Sequence, residues 1–438
     1  MLRKQLTARS ILVLAFSWVV FGTSEAANAQ PTLASETCAR YASPSGSDAN
    51  AGTAVRPVRS AQKLANSLAA GETGCMYAGS YPGNLAIASG GITLTSVAGE
   101  RALLLGYVWI KDSADGVTLA DLDIDGHAAA PITVQVQGDG ALLRGLDITN
   151  RNKLNSSYTG SCLLLGVVGA PAFDPTIERS RIHNCGGGNG GHDHAIYSEF
   201  ARRAVIRNNY LYDNPGFGIS MYPDTQSSLI EHNVIDGNAA ENRSNVTFSG
   251  EAAGGEYSRN YASSNDTLRR NVIANALSRY NVDSYYPSLQ PTGNLVALNC
   301  VWNAPRGNFG GTDAYTLSGN IAASPLYVDR LHKDFRLQAG SPCSAMGPVE
   351  IPVFILDTFL TAKPARSGTS RRATFRFAST VREARFQCRL DGGAWRGCLS
   401  PKTYLNLARG LHRFAVRAVN PVTGRIDVTP ALWEWRIR

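Results

Sequence analysis

The stretch IEHNVI, Ile230–Ile235, places an aliphatic residue, two variable positions, an asparagine, one variable position and a second aliphatic in a fixed frame. The frame recurs as IRNNYL (Ile206–Leu211), LRRNVI (Leu268–Ile273) and VALNCV (Val296–Val301), and more weakly as LSGNIA (Leu317–Ala322). LADLDI (Leu119–Ile124), LRGLDI (Leu143–Ile148) and IERSRI (Ile177–Ile182) keep the aliphatic positions and lack the asparagine. Asn209, Asn233, Asn271, Asn299 and Asn320 are separated by 24, 38, 28 and 21 residues. A conserved core frame with unequal intervals is the mark of a solenoid whose rungs keep their strands and vary their loops. The short apolar–polar alternation gives strands rather than helices. Stacked rungs put the asparagines in one column, where each amide bonds to backbone and to the next amide. The expected fold is all-β: a right-handed parallel β-helix, a single-stranded solenoid. Those asparagines are expected to be scaffold.

Outward from the frame, the chain divides by composition. Arg3, Lys4 and Arg9 precede the apolar run Ile11–Gly22, and Ala27-Asn28-Ala29 follows. Residues 1–29 therefore read as a signal peptide, too short in its apolar part to span a bilayer. Eight cysteines suit an oxidising compartment, and pairing of sequence neighbours would give 38–75, 162–185, 300–343 and 388–398. No CxxC pair is present, against a zinc ribbon or redox motif. From Ile351 onward there are 16 Lys/Arg against 5 Asp/Glu, and 26 against 29 before it. A basic module on a mildly acidic body predicts two domains, 30–350 and 351–438, the second suited to anionic polymer or wall material or serving only solubility.

The opening segment RYASPSGSDANAGT, Arg40–Thr53, with the apolar spacing Ala61, Leu64, Ala65, Leu68 after it, resembles the start of pectate-lyase-like β-helix proteins. In that family such a segment leads into a short helix that caps the first rung. The segment SPLYVDRLHKDFRLQAGSPCSAMG, Ser324–Gly347, is similar to the family's terminal rung. The resemblance implies the pectin-lyase-like fold over about residues 40–347 and leaves the activity open, since lyases, hydrolases, epimerases and adhesins share the scaffold. Beyond it, ARFQCRLDGGAW (Ala384–Trp395) and the alternating strands around it resemble bacterial immunoglobulin-like modules, a small β-sandwich. Trp395, Trp433 and Trp435 are candidates for sugar stacking, with core or edge packing the first expectation.

One further stretch concentrates reactive side chains: GHDHAIYSEF, Gly191–Phe200. Aligning HAIYS with FGISM puts Ile196 on Ile219 and Ser198 on Met221 in the core, and sends Asp193, Tyr197 and Glu199 outward. Ser220, Tyr222 and Asp224, then Thr247, Ser249 and Glu251, then Asn281, Asp283 and Tyr285 would continue that face. Strict alternation turns His194 inward, and His192 lies in the loop before. The face suits an acidic polysaccharide cleaved by β-elimination, with His192 or His194 as base and Tyr197 or Tyr222 as acid. Asp193, Glu199, Arg203 and Asp283 are candidate substrate contacts. The family resemblance implies that calcium can neutralise a uronate carboxylate, and Asp193, Asp224 and Glu251 are its candidate ligands. Lysine is scarce in the body (Lys63, Lys111, Lys153, Lys333), which disfavours a lysine base, and Arg202 and Arg203 are the nearby cations. Glycoside hydrolysis by paired carboxylates, C5 epimerisation and non-catalytic glycan binding stand as alternatives. The expected protein is a secreted, wall-associated monomer with no nucleic-acid partner and no membrane span.

Overall fold

The computed structural model describes residues 37–438 apart from 99, 127–131, 153–159, 188–192, 241, 255–256, 350–355, 357, 380–383, 420–425 and 428–429. The signal-peptide stretch, His192 and the boundary at 350/351 lie outside the described residues.

Three long sheets run along the molecule, one strand of each per rung. The first has eleven strands, from Arg40–Ala42 to Thr316–Ser318, and the second ten, from Gly79–Pro82 to Ile321–Ala322. The third runs in parallel from Leu85–Ile87 to Val282–Tyr285, with Tyr261–Ala262 added antiparallel. This is a right-handed parallel β-helix. Pairing keeps like residues in line: Ile177, Ile206, Ile230, Leu268 and Val296 stack inside the first sheet. Ile182, Leu211, Ile235, Ile273 and Val301 do so inside the second. All ten are buried in one continuous core.

The corner between the first and second sheets explains the frame. Asn208, His232, Arg270 and Leu298 adopt left-handed φ of 52–56°, a conformation that costs a non-glycine residue about 1–2 kcal/mol. The asparagine that follows each one offsets this. Asn233 Oδ1 accepts from both the N–H and the amide of Asn209, and Asn271, Asn299 and Asn320 repeat the bond rung by rung. The expected column is present. A second one, Asn214, Asn238, Asn245, Asn281 and Asn308, lines the corner between the second and third sheets. Asn281 therefore belongs to this internal ladder, fully buried, and not to the outer face. The reason is local: the third-sheet strand begins only at Val282, so alternation does not extend back to 281.

The helix Ala61–Asn66 covers the first rung, its N-terminus capped by Ser60 and its Ala61, Leu64 and Ala65 buried. Leu64 and Leu68 pack so closely on Gly74 that a Cβ there would lie 2.9 Å from each. The terminal segment behaves otherwise than expected. Tyr327–Asp329 and Asp334–Leu337 pair antiparallel instead of adding a rung. Phe335 and Tyr327 cover Tyr210, Tyr212, Val234 and Val272, the apolar outer positions of the second sheet.

The C-terminal strands form a three-stranded sheet (Thr358–Ala362, Ala373–Ser379, Lys402–Tyr404) and a five-stranded one centred on Gly410–Val419. Phe375 of the first stacks on Phe414 of the second at 4.0 Å, with Trp435 beside them. The result is a small β-sandwich with its own core. All four expected disulfides are formed, Cys38–Cys75, Cys162–Cys185, Cys300–Cys343 and Cys388–Cys398. Such bonds belong to an oxidising compartment outside the cytosol. Among the described residues no helix is long and apolar enough to cross a membrane.

Candidate functional site

On the outer face of the third sheet, strand register puts Leu164, Tyr197, Ser220, Thr247 and Asp283 in one line across five rungs. The inward partners are Ile196 and Ser198, beside Ile219 and Met221, as the alignment of HAIYS with FGISM requires. Ser198 is held from inside by the Thr225 hydroxyl. The last four positions of this line form the floor of a groove of about 360 Å³. Its walls come from both strand ends: His194, Phe217, Asn242, Arg243 and Arg279 on one side, Tyr222, Ser249 and Tyr285 on the other.

His194 is buried yet borders this groove, its ring 5.3 Å from Tyr197 edge-on and 5.2 Å from Phe217. The inward expectation fails because the strand starts at Ile196, two residues later. Phe217 N–H donates to His194 Nδ1 at 3.3 Å. With Nδ1 accepting, a neutral ring carries its proton on Nε2 and acts as a donor there. Tyr197 and Tyr222 stack at 6.3 Å and 17°. The Tyr222 hydroxyl donates to Glu251 Oε2 at 2.6 Å, which fixes the phenol and places Glu251 behind it.

Two arginines that the sequence reading did not single out supply the charge. Arg243 and Arg279 come from the segments joining the second sheet to the third, and these segments brace each other. Arg243 N–H donates to the Ser278 hydroxyl and Arg279 N–H to the Arg243 carbonyl. Arg279 pairs with Asp283 at 2.9 Å, and Asp283 also accepts from Ser244. Arg279 Nε is buried with no hydrogen-bond partner among the described residues. Among the described residues, two guanidiniums and one carboxylate line the groove, a balance that suits an anion.

The remaining candidates lie elsewhere. Asp193 is buried and faces the backbone: Gly187 N–H donates to it, and a Cβ at Gly160 or Gly186 would fall 2.1–2.3 Å from its side chain. Two missing side chains thus let it turn in, which alternation does not anticipate. Asp224 pairs with Arg202 at 2.6 Å and accepts from Gln226. Glu199 accepts from the Tyr257 hydroxyl, and Arg203 pairs with Asp174 on exposed surface. Asp193, Asp224 and Glu251 are thus held by different partners, and no group of three or more His, Cys, Asp or Glu is placed to hold a metal ion among the described residues. Among the described residues these three carboxylates do not form one calcium donor set. In the sandwich, Trp435 is core, while Trp395 and Trp433 are half-buried with cations over their rings.

Residues 107–301 match the family model described as a right-handed beta helix region. No curated protein matches the sequence. Among solved structures, a pectate lyase is similar over 69% of this chain and 90% of its own, with 14% identity and a TM-score of 0.48. A rhamnogalacturonan lyase is similar over 70% and 99%, with 13% identity and a TM-score of 0.39. A pectin methylesterase from Erwinia chrysanthemi is similar over 68% and 92%, with 12% identity and a TM-score of 0.38.

Proposed function

We propose that the groove binds a uronate-containing polysaccharide and cleaves it by β-elimination. The observation that carries this reading is the convergence of Arg243 and Arg279 on a groove that also holds His194, Tyr197 and Tyr222. Elimination needs the C6 carboxylate neutralised, because the charge left when C5 loses its proton spreads into that group. A guanidinium fork is suited to a carboxylate, and the buried Arg279 Nε, without a hydrogen-bond partner among the described residues, is a donor already desolvated for one.

In this reading Arg243 and Arg279 hold the C6 carboxylate and His194 donates through Nε2 to the developing charge. Tyr197, on the floor of the groove that the two cations line, acts as phenolate and takes the C5 proton. The C5–H electron pair forms the C4–C5 double bond, the C4–O bond breaks, and the departing oxygen takes a proton from Tyr197 or Tyr222. The roles of histidine and tyrosine are thus exchanged relative to the sequence expectation, as the Phe217 bond to Nδ1 favours. No step is routed through calcium. Hydrolysis is less well served, since Asp224 and Glu251 are bound to Arg202 and Tyr222, and Asp193 faces the backbone.

The test is incubation with pectate, alginate, glucuronan and glycosaminoglycans, with and without calcium and chelator. Ultraviolet absorbance of the unsaturated uronate reports elimination. Reducing ends without that absorbance would establish hydrolysis instead, inverted C5 configuration without cleavage would establish epimerisation, and no turnover on any polymer would leave binding alone.

A further inference from the structure

We infer that the outer face of the five-stranded C-terminal sheet carries a second site for a carboxylate-bearing polysaccharide, built from Arg389, Arg417 and Trp395. The inference rests on the reading of the groove only for the identity of the polymer.

The site follows from the sandwich's alternation. Cys388, Phe414, Val416 and Ala418 point into the core, so Gln387, Arg389 and Arg417 point away from it. The turn at Asp391-Gly392, with φ of 49° and 76°, returns the chain to the strand Arg396–Cys398. The Cys388–Cys398 bond ties this hairpin. Trp395, at its start, lies across the two arginines: Arg389 is 4.5 Å and Arg417 4.3 Å from the ring centroid. Arg417 Nε also donates to Gln387 at 2.9 Å.

Two guanidiniums are therefore gathered on one indole. Among the described residues neither has a carboxylate ion pair, whereas Arg413 on the same sheet has Glu434 at 3.4 Å. Asp427, the acid that acts on Arg417 electrostatically, is itself buried. Burial first, and then the neighbouring Arg389, push the Arg417 guanidinium below its ordinary value. An anion laid on the pair would relieve that repulsion.

The ligand class follows from what the ring leaves available. The ring is engaged by two cations, so this face presents fixed guanidiniums on a single indole rather than the series of aromatic platforms on which single-stranded nucleic acid stacks successive bases. Planar guanidinium forks held at fixed orientation suit carboxylates presented at regular intervals.

The experiment measures retention of the intact chain on immobilised polygalacturonate and alginate, with neutral dextran and single-stranded DNA resins as controls, over a range of salt. Arg389→Gln with Arg417→Gln should weaken polyuronate binding about tenfold or more and flatten its salt dependence. Turnover of soluble oligouronates and the melting curve should not change. Arg389→Lys with Arg417→Lys keeps the charge, loses the fork, and should bind between the two. His194→Ala should do the opposite, abolishing turnover while retention persists, so the two sites fail separately. Unchanged retention in the double glutamine variant would overturn the inference. So would DNA retention equal to polyuronate retention, which marks a general polyanion surface. If the glutamine pair unfolds, Trp395→Leu, which frees the arginines without removing charge, must still lower polyuronate retention or the site is abandoned.

Discussion

Tyr197→Phe removes one oxygen from the groove floor and leaves the ring stack with Tyr222 intact. If that oxygen moves the C5 proton, kcat should fall by about 10²–10⁴ with little change in KM. His194 separates donor from base. His194→Gln keeps an N–H and should retain part of the activity that His194→Ala loses, whereas equal loss in both would return the base role to the imidazole. Arg279→Ala should raise KM and lower kcat together. At this scale the sequence was only half legible. Tyr197, Ser220, Thr247 and Asp283 follow from counting alternate positions along strands. Arg243 and Arg279 do not, because they sit in segments of unequal length, 237–245 and 275–281, where no period applies. His194 and Asp193 fall just before a strand that starts later than alternation supposes.

At the scale of elements, the ladders carry the clearest energetics. Asn271 is fully buried, accepts twice from Asn233 and donates to Ile230, Arg269 and Asn299. Asn271→Ala leaves those partners without bonds inside the protein and should cost about 2–4 kcal/mol in denaturant unfolding. Asp266 holds a comparable place at the third corner, accepting from Ser228 N–H and donating its own N–H to Asn294. Its second oxygen is buried without a hydrogen-bond partner among the described residues. Burial, opposed mainly by the Ser228 bond, pushes its carboxyl up to about 7. Between the unfolded value near 4 and the folded value near 7 the native state holds a proton the unfolded chain has lost, so stability falls as pH rises through that window. Asp266→Asn should therefore stabilise by roughly 1–3 kcal/mol at about pH 8 and by little near pH 4. A pH-independent difference would contradict the burial argument. The first ladder was readable from its frame because two aliphatics flank every asparagine. The second was not, because its members do not keep one place in the rung: Asn214 and Asn238 follow second-sheet strands, whereas Asn245 and Asn281 come directly before third-sheet strands.

At the scale of the molecule, the β-helix and the sandwich have separate cores, and among the described residues no strand of one pairs with a strand of the other. Calorimetry should resolve two transitions. Cys388→Ser with Cys398→Ser should lower only the one belonging to the sandwich, by about 2–4 kcal/mol. A single transition would mean the two cores unfold as one. The sequence conveyed this division through its charge asymmetry and its change of strand pattern. It did not convey the fold-back of 324–347, because a hairpin over apolar outer positions and another rung share the same alternation.

The aligned outer positions Tyr197, Ser220, Thr247 and Asp283 also turn the third sheet into a gauge. Neighbouring strands are about 4.8 Å apart, so a polymer lying across them would meet floor residues at a fixed pitch, whatever the loops do. Duplicating or deleting one rung would lengthen or shorten the track by a single step and leave the reacting groups where they are. Under the proposed elimination, preference for oligomer length would in that sense be a property of rung number, separable from the chemistry and open to change by whole units.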